Sequence, residues 1–75
     1  MNLPEGEPVN MKLYAARKAS GKTQEQVAEE AKVTSRQYQD YEYGKHDPRV
    51  RTAIRIATAL NSTVESLFSG EKNGE

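Results

Sequence analysis

Cysteine and tryptophan are absent from this chain of 75 residues. Without cysteine there is no disulfide framework, no thiolate zinc site and no thiol nucleophile, as suits a reducing compartment. Its single histidine, His46, stands beside Asp47 and cannot hold a metal alone. No serine, histidine and acid fall at the spacing of a nucleophile and its base. Neither enzymatic activity nor a cofactor is therefore expected. No apolar run approaches the roughly 20 residues that span a bilayer, and no signal-peptide pattern opens the chain, so no membrane role is expected and a cytoplasmic setting is. The length is that of one small domain, too short for an enzyme with a cleft between two halves.

Net charge is absent as well: eleven Lys and Arg balance eleven Asp and Glu. A neutral chain is an unusual nucleic-acid binder, because the electrostatic footprint is normally basic. The zero, however, is a sum of blocks. Residues 8–22 carry Lys12, Arg17, Lys18 and Lys22 and no acid, whereas residues 23–31 carry Glu25, Glu29 and Glu30 and no base. Residues 32–51 hold five bases against three acids, and the acids Glu5, Glu7, Glu71 and Glu75 lie near the ends. A face built from the two basic blocks can be positive on a neutral molecule, or these charges can be ordinary solvated helix surface.

What is present is helical. Residues 1–8, with Pro4, Gly6 and Pro8, read as a flexible lead-in, residues 9–68 as one domain, and residues 69–75 as a frayed tail. Within 9–68 no alternating strand pattern occurs, and the expected class is all-α, a compact bundle of about five short helices. The first covers about Val9 to Ala19 and stops at Ser20-Gly21. The second starts at Thr23, whose hydroxyl can cap the first turn while Gln26 completes a capping box, and runs to about Ala31. Thr34 or Ser35 caps a third, which ends near Tyr43 before Gly44. Pro48 is placed to begin a fourth over about Arg49 to Leu60. Its apolar positions Val50, Ala53, Ile54, Ala57 and Leu60 form one stripe expected to be buried. Asn61 ends it, and Thr63 or Ser62 caps a fifth through Val64, Leu67 and Phe68.

Residues 24–43, QEQVAEEAKVTSRQYQDYEY, carry the functional signal. Two short helices meet across about three residues, with Val27, Ala28 and Ala31 on the inner face of the first, Val33 in the turn, and Tyr38 and Tyr41 as apolar positions of the second. Alanine at 28 suits a close, steep crossing. This is the helix-turn-helix pattern, in which the second helix enters the major groove and the first crosses the phosphate backbone; an αα-hairpin of a plain bundle shares the spacing.

Residues 9–68 resemble the lambda-repressor-like, or XRE-type, helix-turn-helix family of phage and bacterial repressors, which includes the Cro proteins. The likeness rests on Ala16-Arg17-Lys18 before Gly21, Thr23-Gln24-Glu25 with Val27-Ala28, Val33-Thr34-Ser35, Tyr41-Glu42 with Gly44-Lys45, Pro48, Ile54 to Leu60, and Val64 to Phe68. The resemblance implies a bacterial or phage-encoded, DNA-associated regulator of transcription, a repressor that binds a pseudo-palindromic double-stranded operator as a homodimer. Some members of the family instead act as antitoxins or bind other proteins, so a regulatory protein partner is the alternative. The fifth helix and Phe68 offer dimer surface, or Phe68 belongs to the core. The likeness also implies that Arg17 and Glu42 pair as a structural tie, and that Gln24 bonds a phosphate and buttresses the third helix.

The docking mode assigns base contacts to Ser35, Arg36, Gln37 and Asp40. Arg36 can meet guanine O6 and N7 with its planar fork, or pair with Asp40 one turn on. Asp40 can hold Arg36 or accept from cytosine N4. Lys22, Thr23, Gln24, Thr34, Lys45 and Arg49 are the candidates for phosphate contacts, which position without reading. Gln39 is expected to face solvent or a partner. The chain departs from the family at Lys32 and Asn61, where glycine is usual, and at Tyr38, which replaces a branched aliphatic and is expected to push its hydroxyl to the surface. A lysine forced into the left-handed region at 32 would carry roughly 1 kcal/mol of strain.

Overall fold

The computed structural model describes residues 10–68; the expected lead-in 1–8, Val9 and the tail 69–75 lie outside the described residues. Five helices follow one another, and no strand occurs among the described residues: α1 Met11–Ser20, α2 Gln24–Ala31, α3 Ser35–Glu42, α4 Val50–Ala59 and α5 Val64–Phe68. They enclose a globule of 30 × 26 × 21 Å.

Each start has a local cause. Asn10 caps α1, its Oδ1 accepting from the Leu13 N–H at 3.0 Å, so the helix begins later than the apolar pattern at Val9 suggests. Thr23 caps α2 and Thr34 caps α3, each inside a capping box closed by Gln26 and Gln37. The Thr63 hydroxyl accepts from the Ser66 N–H at 3.0 Å and starts α5. Only α4 begins without a side-chain cap, at Arg49 just after Pro48.

Three helices end alike. After α2 the Val33 N–H reaches back to the Ala28 carbonyl (3.0 Å) and the Lys32 N–H to that of Glu29 (3.2 Å). The same pair of bonds closes α3 through Gly44 and Lys45, and α4 through Asn61 and Ser62. This double closure needs a left-handed residue at its hinge, supplied by Lys32 (φ 63°), Gly44 (φ 77°) and Asn61 (φ 59°). Glycine and asparagine take that conformation readily; lysine does not.

The core is Leu13, Val27, Ala28, Ala31, Tyr38, Ile56, Ala57, Leu60 and Leu67, with Ala16, Val33, Tyr41, Ala59 and Phe68 packed at its edge. Phe68 is half-buried against the edge of this core. The stripe of α4 differs from the sequence expectation. Ala53, Ile56, Ala57 and Leu60 are buried, whereas Val50 is 75% and Ile54 51% exposed. Two apolar stripes flank the same two alanines, Ile56 on one side and Val50 with Ile54 on the other. Helix α4 wedges against α2 and α5, and that seat takes the Ile56 side.

Replacing Lys32 by glycine removes the left-handed strain and is expected to raise stability by about 1 kcal/mol. In a domain of this size that is a rise in Tm of roughly 4–8 °C. Thermal and urea unfolding of Lys32→Gly would measure it, and unchanged or lower stability would contradict a strained turn.

Candidate nucleic-acid interface

Helix α3 has two faces of different fate. Tyr38 and Glu42, one turn apart, are fully buried, and Tyr41 is half-buried beside them. The Tyr38 and Tyr41 rings meet edge to face, 6.5 Å between centroids. Arg36, Asp40 and Tyr43 are spaced i, i+4 and i+7, one stripe on the opposite side.

The Glu42 carboxylate holds that orientation. Its Oε2 accepts from Arg17 Nε at 2.6 Å and from the Tyr38 hydroxyl at 2.7 Å. Its Oε1 accepts from Gln24 Nε2 at 3.0 Å, with Arg17 Nη2 at 3.4 Å. Its backbone carbonyl takes the Asn10 N–H at 2.7 Å, while Asn10 Nδ2 donates to the Leu67 carbonyl at 2.9 Å. Arg17 also donates through Nη1 to the Lys22 carbonyl at 3.0 Å. One residue thus ties α3 to α1, to α2 and to the segment entering α1. The Tyr38 hydroxyl points inward and not to the surface, because a buried acceptor waits one turn along its own helix. Burial opposes the Arg17 charge, but the hydrogen bond and attraction of Glu42 outweigh that and raise its pKa. Burial, then the Glu42 charge and hydrogen bond, push the Tyr38 phenol well above the ordinary tyrosine value.

The predicted contact residues divide by what already occupies them. Ser35 is the half-buried first residue of α3. Arg36 is exposed and forms no ion pair with Asp40, which is half-buried one turn on. Gln37 is exposed, yet its amide oxygen accepts from the Thr34 N–H at 3.0 Å. Thr34 returns the bond by accepting from the Gln37 N–H at 3.0 Å. Thr23 serves the same capping role for α2. Gln24 faces the buried carboxylate through its amide nitrogen. Lys22 turns away from α3: its Nζ donates to the Ala59 carbonyl at 2.8 Å and to Glu30 at 2.9 Å, so it stabilises the end of α4. Lys45 and Arg49 are exposed after α3, on either side of the loop at His46 to Pro48.

Sequence reasoning passed over two participants. Asn10 was legible as a polar residue just before the first helical apolar position, but its bonds to Glu42 and Leu67 were not. The second capping box was legible as Thr34-x-x-Gln37, a repeat of Thr23-x-x-Gln26.

Removing Arg17 leaves the Glu42 charge buried without its cation. Arg17→Ala is expected to cost about 3–5 kcal/mol in urea unfolding, while the DNA sequence preferred by the folded fraction stays the same. Unchanged melting with a shifted preference would overturn this. The raised phenol of Tyr38 predicts a pH dependence. The unfolded chain releases that proton near pH 10 and the folded chain does not, so its stabilisation is complete below about pH 10 and lost as pH rises further. Wild-type stability should fall more steeply there than that of Tyr38→Phe, by up to about 1.4 kcal/mol per pH unit. Parallel alkaline profiles would exclude it.

The helix-turn-helix family matches residues 13–67. The chain is similar to an uncharacterized HTH-type transcriptional regulator, YqaE, of Bacillus subtilis, 33% identical over 61 residues, which is 81% of this chain and 53% of that protein. It is similar to the cryptic phage CTXphi transcriptional repressor RstR of Vibrio cholerae, 34% identical over 59 residues, 79% of this chain and 53% of that protein. It spans about half the length of the curated relatives it matches. Its fold is similar to that of the restriction-modification controller protein C.AhdI from Aeromonas hydrophila, with a TM-score of 0.72 and 25% identity, covering 79% of this chain and 86% of that one. With the two capped helices, their short turn and the pinned α3 in place, the chain belongs to the lambda-repressor-like, XRE-type helix-turn-helix family.

Proposed function

We propose that this protein is a sequence-specific regulator of transcription, a repressor that inserts α3 into the major groove of a double-stranded operator. The observation that carries this reading is the state of Arg36. Its guanidinium is exposed and free of Asp40 near the start of a helix whose opposite face is locked by Tyr38 and Glu42. A fork of donors on a rigid support suits a guanine edge. The capped starts of α2 and α3 offer the positive ends of two helices to phosphates. Lys45 and Arg49 follow α3, while Lys22 contributes through α4 more than through the backbone of DNA.

Two copies act together, because one small domain offers few contacts and half-sites lie about 34–36 Å apart. Val64 of α5 is 37% exposed, and Val50 and Ile54 add apolar surface on α4 for the second copy. A pseudo-palindromic operator follows from that symmetry. No helix among the described residues is long and apolar enough to cross a membrane, and the protein works in the cytoplasm on DNA, without a catalytic step. A regulatory protein partner would reach the same apolar surface.

Anisotropy titration of a selected duplex in rising salt tests the proposal. Log K should fall steeply against log salt, and Arg36→Ala should lose roughly 5- to 150-fold in preference for the selected site over random DNA. A flat slope, or equal affinity for random DNA, would instead indicate a protein-interaction module.

A further inference from the structure

The amide of Gln37 is already half used, and this limits what it can read. Its Oε1 accepts both the Thr34 N–H at 3.0 Å and the Thr34 hydroxyl at 3.3 Å. A carbonyl oxygen has two lone pairs, so both are occupied. The assignment of oxygen and nitrogen follows from the partner, since a backbone N–H can only donate. What Gln37 shows to solvent from its exposed place in the first turn is the Nε2 group, two donors and no acceptor.

Glutamine normally recognises adenine by a paired contact, donating to N7 while accepting from N6. That contact needs the oxygen that Thr34 holds. We propose that Gln37 is a donor-only specificity residue: it selects a base with an acceptor in the major groove, guanine through N7 or O6, thymine through O4 or adenine through N7 alone, rejects cytosine, and does not read adenine by the paired contact. The capping box thus sets the hydrogen-bonding character of the reading surface. With Arg36, also donor-only, and Asp40, acceptor-only when ionised, α3 presents a donor, donor, acceptor order along its first turns. Breaking the box to free the oxygen would give up the reciprocal bonds that cap α3, which opposes rearrangement on DNA.

This inference rests on the DNA-binding reading above, and its test separates the two. Bound sequences are selected from a random pool with the wild-type protein, Gln37→Glu and Gln37→Ala. Glutamate at 37 can still accept from Thr34 and keep the box, but it has no donor, so Gln37→Glu should unfold like wild type and lose the wild-type preference at one position. The expected wild-type result is a position that excludes cytosine; Gln37→Ala makes it unselective, and Gln37→Glu, whose second oxygen can only accept, turns it toward cytosine N4 or adenine N6. Gln37→Ala should bind the wild-type site roughly three- to tenfold more weakly, the worth of about one hydrogen bond. If that base is guanine, removing its acceptors one at a time, N7 as 7-deazaguanine and O6 as 2-aminopurine, should weaken wild type at one of them and leave Gln37→Ala indifferent to both. A cytosine at the position that responds to Gln37, an adenine there whose N6 amino group is needed for binding (tested by replacing it with unsubstituted purine), or no position that responds, would overturn the inference while leaving sequence-specific binding intact. No selectivity by the wild-type protein would overturn both readings.

Discussion

A single buried carboxylate organises this molecule. Glu42 is fully inaccessible to solvent, and a charge in that position is tolerable only when it is paired and its oxygens are filled. Arg17, Tyr38 and Gln24 fill them from α1, α3 and α2. Such a cluster adds little net stability over well-packed apolar side chains, because desolvation offsets much of the attraction. It adds direction. Donors from three helices converge on one point, and a rotation of α3 about its axis would leave a buried charge unsatisfied.

That direction separates the inside of α3 from its outside. With Tyr38 and Glu42 fixed inward, Arg36 and Asp40 project the other way, and their neighbours at the helix start are held by backbone bonds of the cap. The backbone of α3 is therefore fixed in orientation before any ligand arrives, which would lower the ordering cost of binding through its outer face. Overall neutrality fits this arrangement. Two bases bond within the fold, Arg17 to Glu42 and Lys22 to Ala59 and Glu30, and on the proposed reading discrimination would rest on a few side chains more than on bulk attraction to phosphates.

Much of the architecture was legible because its causes are local. A cap, a capping box and a residue able to turn left-handed each act within four or five residues, so the limits of α2, α3 and α5 can be read from Thr23, Thr34 and Thr63 and from the residues that end them. The errors share one character. The stripe of α4 was read with Val50 and Ile54 inward, though Ile56 is buried in their place. The Tyr38 hydroxyl was read as pointing outward, though it meets Glu42. In each case two local solutions were equivalent, and a partner distant in sequence chose between them.

By itself, then, the sequence determined five helices, a helix-turn-helix at residues 24–43 and the candidate reading residues at the start of α3, because hydrophobic period and cap chemistry are short-range and leave few alternatives. The family-level pattern also indicated the pairing of Arg17 with Glu42. Tertiary structure alone decided which flank of α4 is buried, that Lys22 bonds to the end of α4, and that Glu42 gathers Gln24 and Tyr38 as well as Arg17. Those outcomes depend on satisfying buried polar groups and filling space between helices, and both constraints exist only once the helices have met.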